Sequence, residues 1–263
     1  INDFVVREDV CNMRCEYCLT GTSKLEKKCS DIMRNKKLLY GKQTQLQKNM
    51  DEVTESIYKQ FKPAILKISG GEILLVDGLL SYIHKHADKY KKVQILTNGV
   101  LLTKTIVDEL KEKSNICLQI SLDHHTITGN SYRTTNVEIL KKILKNLDYA
   151  VRQSIEVEIN CVLHNRNTHI IPEFVEYLHQ YHNKVMLLPF PVRGSMSERF
   201  RPKKQQLIGV EYLIKKYEDY QNTLPPKVYL EYLLRFLRNE KREIPCMFPK
   251  ISIGSFEDGN ITP

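Results

Sequence analysis

Short apolar, β-branched runs alternating with longer helical stretches predict an α/β protein, a partial (βα)6 TIM-like barrel with a short C-terminal helical and hairpin extension. Two observations carry this. Six strand-like runs, 4–7, 64–69, 93–97, 116–122, 155–163 and 184–188, are separated by stretches of helical length. Helix-start residues stand where the intervening helices, near 47–61, 78–90, 103–113, 136–152 and 170–182, should begin: Asp77 with Gly78, Thr103, Asn136 and Pro172. A strand, a helix and a parallel strand cross over right-handed, so the six units read as one parallel sheet that can curl into a partial barrel. Its working loops would lie at the carboxyl ends of the strands.

Two regions break the rhythm. Residues 19–46 are basic, with Lys24, Lys27, Lys28, Arg34, Lys36, Lys37 and Lys42 against Glu26 and Asp31. So long a connection is a functional lid or a disordered insertion. From about 200 the chain changes to two helical stretches, 205–221 and 228–239, and a glycine-bearing hairpin around Gly254 and Glu257 to Asn260. The division expected is therefore a barrel over 1–200 and a linker with the start of an extension over 201–263.

Composition limits the classes. The 263 residues hold 40 Lys and Arg against 31 Asp and Glu, a formal charge of +9, with 41% hydrophobic and 27% charged residues. Collagen-like, low-complexity and wholly disordered chains are excluded. No run approaches the 18 apolar residues of a membrane span, so a cytoplasmic protein without membrane contact is expected. The chain starts at Ile1, which leaves an upstream signal open. The positive charge fits solvated lysines on helix faces.

Three of the seven cysteines, Cys11, Cys15 and Cys18, fall in the spacing CxxxCxxC directly after the first strand. This grouping suggests a reducing compartment and metal ligation rather than disulfides. A structural zinc would take a fourth ligand, Cys29 or a distant His. An all-cysteine iron–sulfur cluster also needs four thiolates. Three thiolates can instead hold three irons of a [4Fe–4S] cube and leave the fourth open to a chelating ligand.

With the aromatic Tyr17 just before the last cysteine, this segment resembles the signature of the radical S-adenosylmethionine superfamily. The resemblance implies a cluster whose open iron is chelated by the cofactor's amino and carboxylate groups. It also implies an electron, from an external donor of the flavodoxin or ferredoxin kind, that splits the sulfonium into methionine and a hydrogen-abstracting 5′-deoxyadenosyl radical. Tyr17 would lie at the cofactor.

Further segments extend the resemblance. Gly70, Gly71 and Glu72 follow the second strand, where the family carries a GGE motif that binds the cofactor's amino group; a plain βα turn is the alternative. Thr97, Asn98 and Gly99 are similar to segments at the active-site mouth. Ser121 ends the fourth strand and Arg133 follows twelve residues later. In the peptide-modifying branch such a Ser touches the ribose and such an Arg the carboxylate, which suits a guanidinium fork. Asp123 reads as a cap or a site residue, and His124 and His125 as solvated loop or site residues. Glu158 and Asn160 alternate with apolar neighbours on the fifth strand, which makes Asn160 a candidate ribose contact. Cys117 and Cys161 lie within strands and read as packed thiols.

Cys246, the hairpin and Gly259 resemble the opening of a SPASM or twitch extension, whose next cysteine would fall at position 264. The chain is therefore expected to be a fragment, with possible auxiliary [4Fe–4S] clusters in the full-length protein. Taken together, the resemblance implies a cofactor-cleaving enzyme that modifies a ribosomally made peptide. A radical dehydrogenase or epimerase of a small sugar or aminocyclitol is the enzymatic alternative. A nucleic-acid-binding metal protein would need a basic stripe interleaved with aromatics, and no such stripe is present, so no nucleic acid is expected.

Overall fold

The computed structural model describes residues 1–8, 10–19, 40, 44–194, 197–243, 245 and 248–262. Most of the basic 19–46 segment, with Cys29, and Cys246 lie outside the described residues. One sheet runs in the order β6-β5-β4-β3-β2-β1-β7-β8. Strands β1 (Asn2–Val6), β2 (Ile65–Gly70), β3 (Lys92–Thr97), β4 (Ile116–Ser121), β5 (Glu156–Leu163) and β6 (Val185–Pro191) pair parallel in succession. The six strands foreseen in the sequence are therefore present as a parallel α/β sheet. That sheet is open, with β6 at one edge.

Helices α1 (Gln45–Phe61), α2 (Leu79–His86), α3 (Lys104–Leu110), α4 (Val137–Arg152) and α5 (Ile171–His179) join them. Their starts follow local chemistry. Thr44 and Gln47 form a reciprocal capping box on α1. Gly78 takes φ +73° ahead of α2, and the Thr103 hydroxyl accepts from the Ile106 N–H. Asn136 accepts from the Glu138 and Ile139 amides, and a proline opens α5. The predicted 205–221 helix is present but interrupted: a 3-10 turn (Lys204–Leu207) leads into α6 (Ile208–Lys215), Lys216 leaves helical geometry at φ −100°, ψ 22°, and a helical turn resumes at Tyr217–Tyr220. A further helix, α7 (Lys227–Leu237), follows.

Side chains alternate across the sheet. Phe4, Leu66, Ile68, Val93, Ile95, Leu118, Ile120, Val157 and Ile159 are buried in one large core. The other face carries polar groups, and those near the amino ends of the strands satisfy one another. Lys67 pairs with Asp3 at 3.2 Å, and Glu158 accepts from Gln119 at 2.6 Å, Lys92 at 3.0 Å and Gln94 at 3.1 Å. Glu158 is thus committed to an ion-pair network away from the strand ends where the cysteines lie.

The hairpin expected near the end forms as β7 (Ile253–Phe256) and β8 (Ile261–Thr262), turning at Gly259 with φ +89°. β7 also joins the main sheet, parallel to β1 from Asn2↔Ile253 to Val5↔Phe256. The Ser255 hydroxyl bonds Asn2 Oδ1 at 2.7 Å, tying this late strand to the first.

Candidate active site

The loop after β1 carries Cys11, Cys15 and Cys18 and lies against the turn after β2. Gly71 N–H donates to Arg7 O at 3.2 Å, and Glu72 N–H to Val10 O at 2.7 Å. A Cβ on Gly70 would stand 1.9 Å from Val6 O, and one on Gly71 2.1 Å from Val10 O. Both glycines are needed because backbone occupies the space of a side chain, that of the β1 end at Gly70 and that of the cysteine loop at Gly71.

Glu72 is buried, and its carboxylate is shared among three donors. Oε1 accepts from Leu74 N at 3.0 Å and Thr97 Oγ1 at 2.8 Å; Oε2 accepts from Asn98 N at 2.7 Å. Burial pushes its pKa up while these donors pull it back. In this arrangement Glu72 joins the turn after β2 to the turn after β3. Asn98 then reaches the cysteine loop: its Nδ2 donates to Asn12 Oδ1 at 2.6 Å and lies 3.8 Å from Cys11 Sγ.

Asp123, which capping rules alone did not place, is the centre of a buried network. It accepts from the Tyr17 hydroxyl, from Arg133 Nε at 3.1 Å and from Val162 N–H at 3.0 Å, with His164 Nε2 3.4 Å away. Burial opposes its charge, but Arg133, His164 and the Tyr17 hydroxyl outweigh that and hold its pKa below the usual carboxylate range. Arg133 Nη1 also lies 3.8 Å from Cys15 Sγ, and its guanidinium sits 5.6 Å from the Tyr17 ring centroid. Tyr17, Cys15, Arg133 and Asp123 are therefore brought together. The network draws on residues far apart in the chain, and its one local trace is the Ser121-Leu122-Asp123 strand end.

Ser121, the last residue of β4, stands in register beside Asn160 within β5. Asn160 Oδ1 is buried without a partner, an acceptor suited to a hydroxyl-bearing ligand. His124 and His125 turn elsewhere: His125 stacks on Tyr177 of α5 at 4.4 Å, and His124 contacts Ile170 O. Cys117 and Cys161 are fully buried, and the Cys161 thiol donates to Asp123 O at 3.3 Å. Both behave as packed thiols.

The three loop sulfurs bear on what they can hold. Sulfurs sharing one tetrahedral zinc lie roughly 3.8 Å apart. Cys11, Cys15 and Cys18 do not gather their sulfurs within 4.8 Å of one another, so they are not arranged as the ligands of a single tetrahedral ion. Burial pushes the Cys11 thiol up to about 12 and raises Cys15 as well, so ligation must displace protons there. The donor set and the unpartnered Asn160 acceptor fit a [4Fe–4S] cluster with S-adenosylmethionine beside it.

A family profile described as the Radical SAM superfamily matches residues 6–178. A GTP 3',8-cyclase of Clostridium perfringens (strain SM101 / Type A) is 29% identical over 161 residues, 59% of this chain and 44% of that protein. The chain thus spans about half the length of the curated relatives it matches. Among solved structures, Streptococcus suis SuiB bound to S-adenosylmethionine superposes with a TM-score of 0.71 at 16% identity, over 99% of this chain and 59% of that one. SuiB bound to its precursor peptide SuiA gives 0.67 at 17% identity, over 99% and 58%. Native anSMEcpe with bound AdoMet gives 0.63 at 16% identity, over 100% and 74%. At these identities the structural likeness shows a shared fold. No helix among the described residues is long and apolar enough to cross a membrane.

Proposed function

The chain belongs to the radical S-adenosylmethionine superfamily, and from that premise we propose that it modifies a ribosomally made peptide. Cys11, Cys15 and Cys18 would hold a [4Fe–4S] cluster, with S-adenosylmethionine bound between it and the ends of β4 and β5. When bound, the pair would supply one-electron reduction of a sulfonium and, through it, hydrogen abstraction from carbon.

The chain's own residues position and shield. The turn at Gly70, Gly71 and Glu72 clamps the cysteine loop onto the sheet. Asn160 and Ser121 offer polar groups to ribose hydroxyls, and Tyr17, buried in the cysteine loop, ties that loop to Asp123 through its hydroxyl. Arg133 places a fixed positive charge near the cofactor's carboxylate. We read the open sheet as the family's partial (βα)6 barrel, and 201–263 as the approach to a SPASM or twitch extension that would carry auxiliary clusters.

The observation that carries the peptide reading is the extent of the structural likeness. It runs over 99% of the chain for SuiB, a protein solved with a precursor peptide, and over 100% for anSMEcpe, tail hairpin included. A nucleotide substrate is the second reading, because the sequence relatives are named GTP 3',8-cyclases, although that match covers 59% of the chain.

The test is to reconstitute the protein anaerobically and supply reductant, S-adenosylmethionine and either the peptide encoded beside its gene or GTP. Release of 5′-deoxyadenosine with a mass change in the peptide supports the first reading. Conversion of GTP with the peptide unchanged supports the second. Cysteine-to-alanine substitution at Cys15 should abolish cofactor cleavage; cleavage that persists would contradict the assigned ligands.

A further inference from the structure

We propose that Arg133, clamped by Asp123, donates an N–H···S hydrogen bond to Cys15 and thereby raises the reduction potential of the cluster that the cysteine loop holds. The inference rests on the cluster reading above and gives Arg133 a task on the protein's own sulfur, in addition to any contact with the cofactor.

The geometry is that of a fork used at two prongs. Nε donates to Asp123 Oδ1 at 3.1 Å while Nη1 points to Cys15 Sγ at 3.8 Å, within the reach of an N–H···S bond. A planar guanidinium can hold two acceptors at fixed relative positions, which a single ammonium cannot. Asp123 is itself immobilised by the Tyr17 hydroxyl of the cysteine loop and the Val162 amide of β5. The Asp123 side chain is 0% and that of Arg133 9% exposed, so water does not compete for either partner. Hydrogen bonds to cluster sulfurs favour the more negative, reduced state and so raise the potential. Asp123 is thus a positioning residue acting through Arg133. Its carboxylate offsets part of the guanidinium charge, while the N–H remains directed at sulfur.

The experiment compares wild-type protein with Arg133→Gln and Arg133→Lys, all reconstituted anaerobically. Iron content is counted first. The midpoint potential is then read by paramagnetic resonance during reductive titration, without S-adenosylmethionine. Cofactor affinity is measured separately.

Arg133→Gln should load iron like the wild type, because the three cysteines and the glycine turn are untouched. At a fixed ambient potential its reduced-to-oxidised ratio should fall about tenfold, a shift of about 59 mV to more negative values for a one-electron couple. Arg133→Lys should recover less than half of that shift. Should Arg133→Gln fail to load iron, Arg133→Lys decides.

An unchanged potential in Arg133→Gln, with weaker cofactor binding, would confine Arg133 to the cofactor and overturn this inference alone. Full recovery by lysine would make charge, not the hydrogen bond, the cause and overturn it likewise. A wild-type protein that takes up no iron would overturn the cluster reading, and this inference with it.

Discussion

A methyl group on Gly71 would have to share space with the Val10 carbonyl and crowd the Arg7 carbonyl, and neither is a flexible side-chain tip. Gly71→Ala must therefore move the cysteine-loop backbone. We expect a loss of about 2–3 kcal/mol in urea denaturation, in the range of core overpacking, together with reduced iron uptake on reconstitution. Normal iron loading with full stability would remove the clamp from the account. At this scale the cysteines, the two glycines and Glu72 could be singled out in the sequence because each group falls within a few consecutive residues. Their physical partners could not. Glu72 turns to Thr97 and Asn98, and Asp123 gathers Tyr17, Arg133 and Val162 from three separate stretches. Such contacts leave no local pattern, which is why Asp123 could be read equally as a cap.

Helix α4 shows how local signals make an element legible. Leu140, Ile143, Leu147, Ala150 and Val151 recur at helical spacing on its buried face, while Asn136 accepts from the Glu138 and Ile139 amides at its start. Asn136→Ala should cost about 1 kcal/mol, the usual value of a lost N-cap, seen as a lower urea midpoint with an unchanged slope. An unchanged midpoint would mean that packing alone sets where α4 begins. The same reasoning explains what stayed hidden. β7 is four residues long, and its partner β1 lies some 250 positions earlier, so alternation and turn residues could mark a hairpin but not its docking on the first strand. The break after α6 was equally unreadable, because its periodicity continues past the point where Lys216 leaves helical geometry.

Global stability adds the contributions of groups buried in different parts of the molecule, and its pH dependence follows from the imidazoles. His124 is fully buried; its Nδ1 accepts from Thr126 N–H at 3.1 Å, so Nε2 carries the proton and faces Ile170 O at 3.2 Å. Burial, with His125 beside it, pushes its pKa from 6.5 down to about 4. Burial moves His86 and His125 in the same direction. Between pH 4 and 6.5 the unfolded chain binds a proton at position 124 that the folded chain does not. Stability from this group is therefore complete above 6.5 and is lost as the pH falls toward 4. Each pH unit within the window is worth up to about 1.4 kcal/mol, hence roughly 2 kcal/mol between pH 6.5 and 5. Glu72 opposes this, because its raised pKa favours the fold as acid is added. The clean measurement is thus a difference. His124→Asn keeps an acceptor for the Thr126 amide and cannot titrate, so its stability deficit relative to wild type should shrink by about 2 kcal/mol as urea denaturation is moved from pH 6.5 to 5. A deficit that stays constant across that interval would show that the imidazole takes up its proton equally in the folded and unfolded chain, and the acid sensitivity would then have to come from His86 or from the carboxylates.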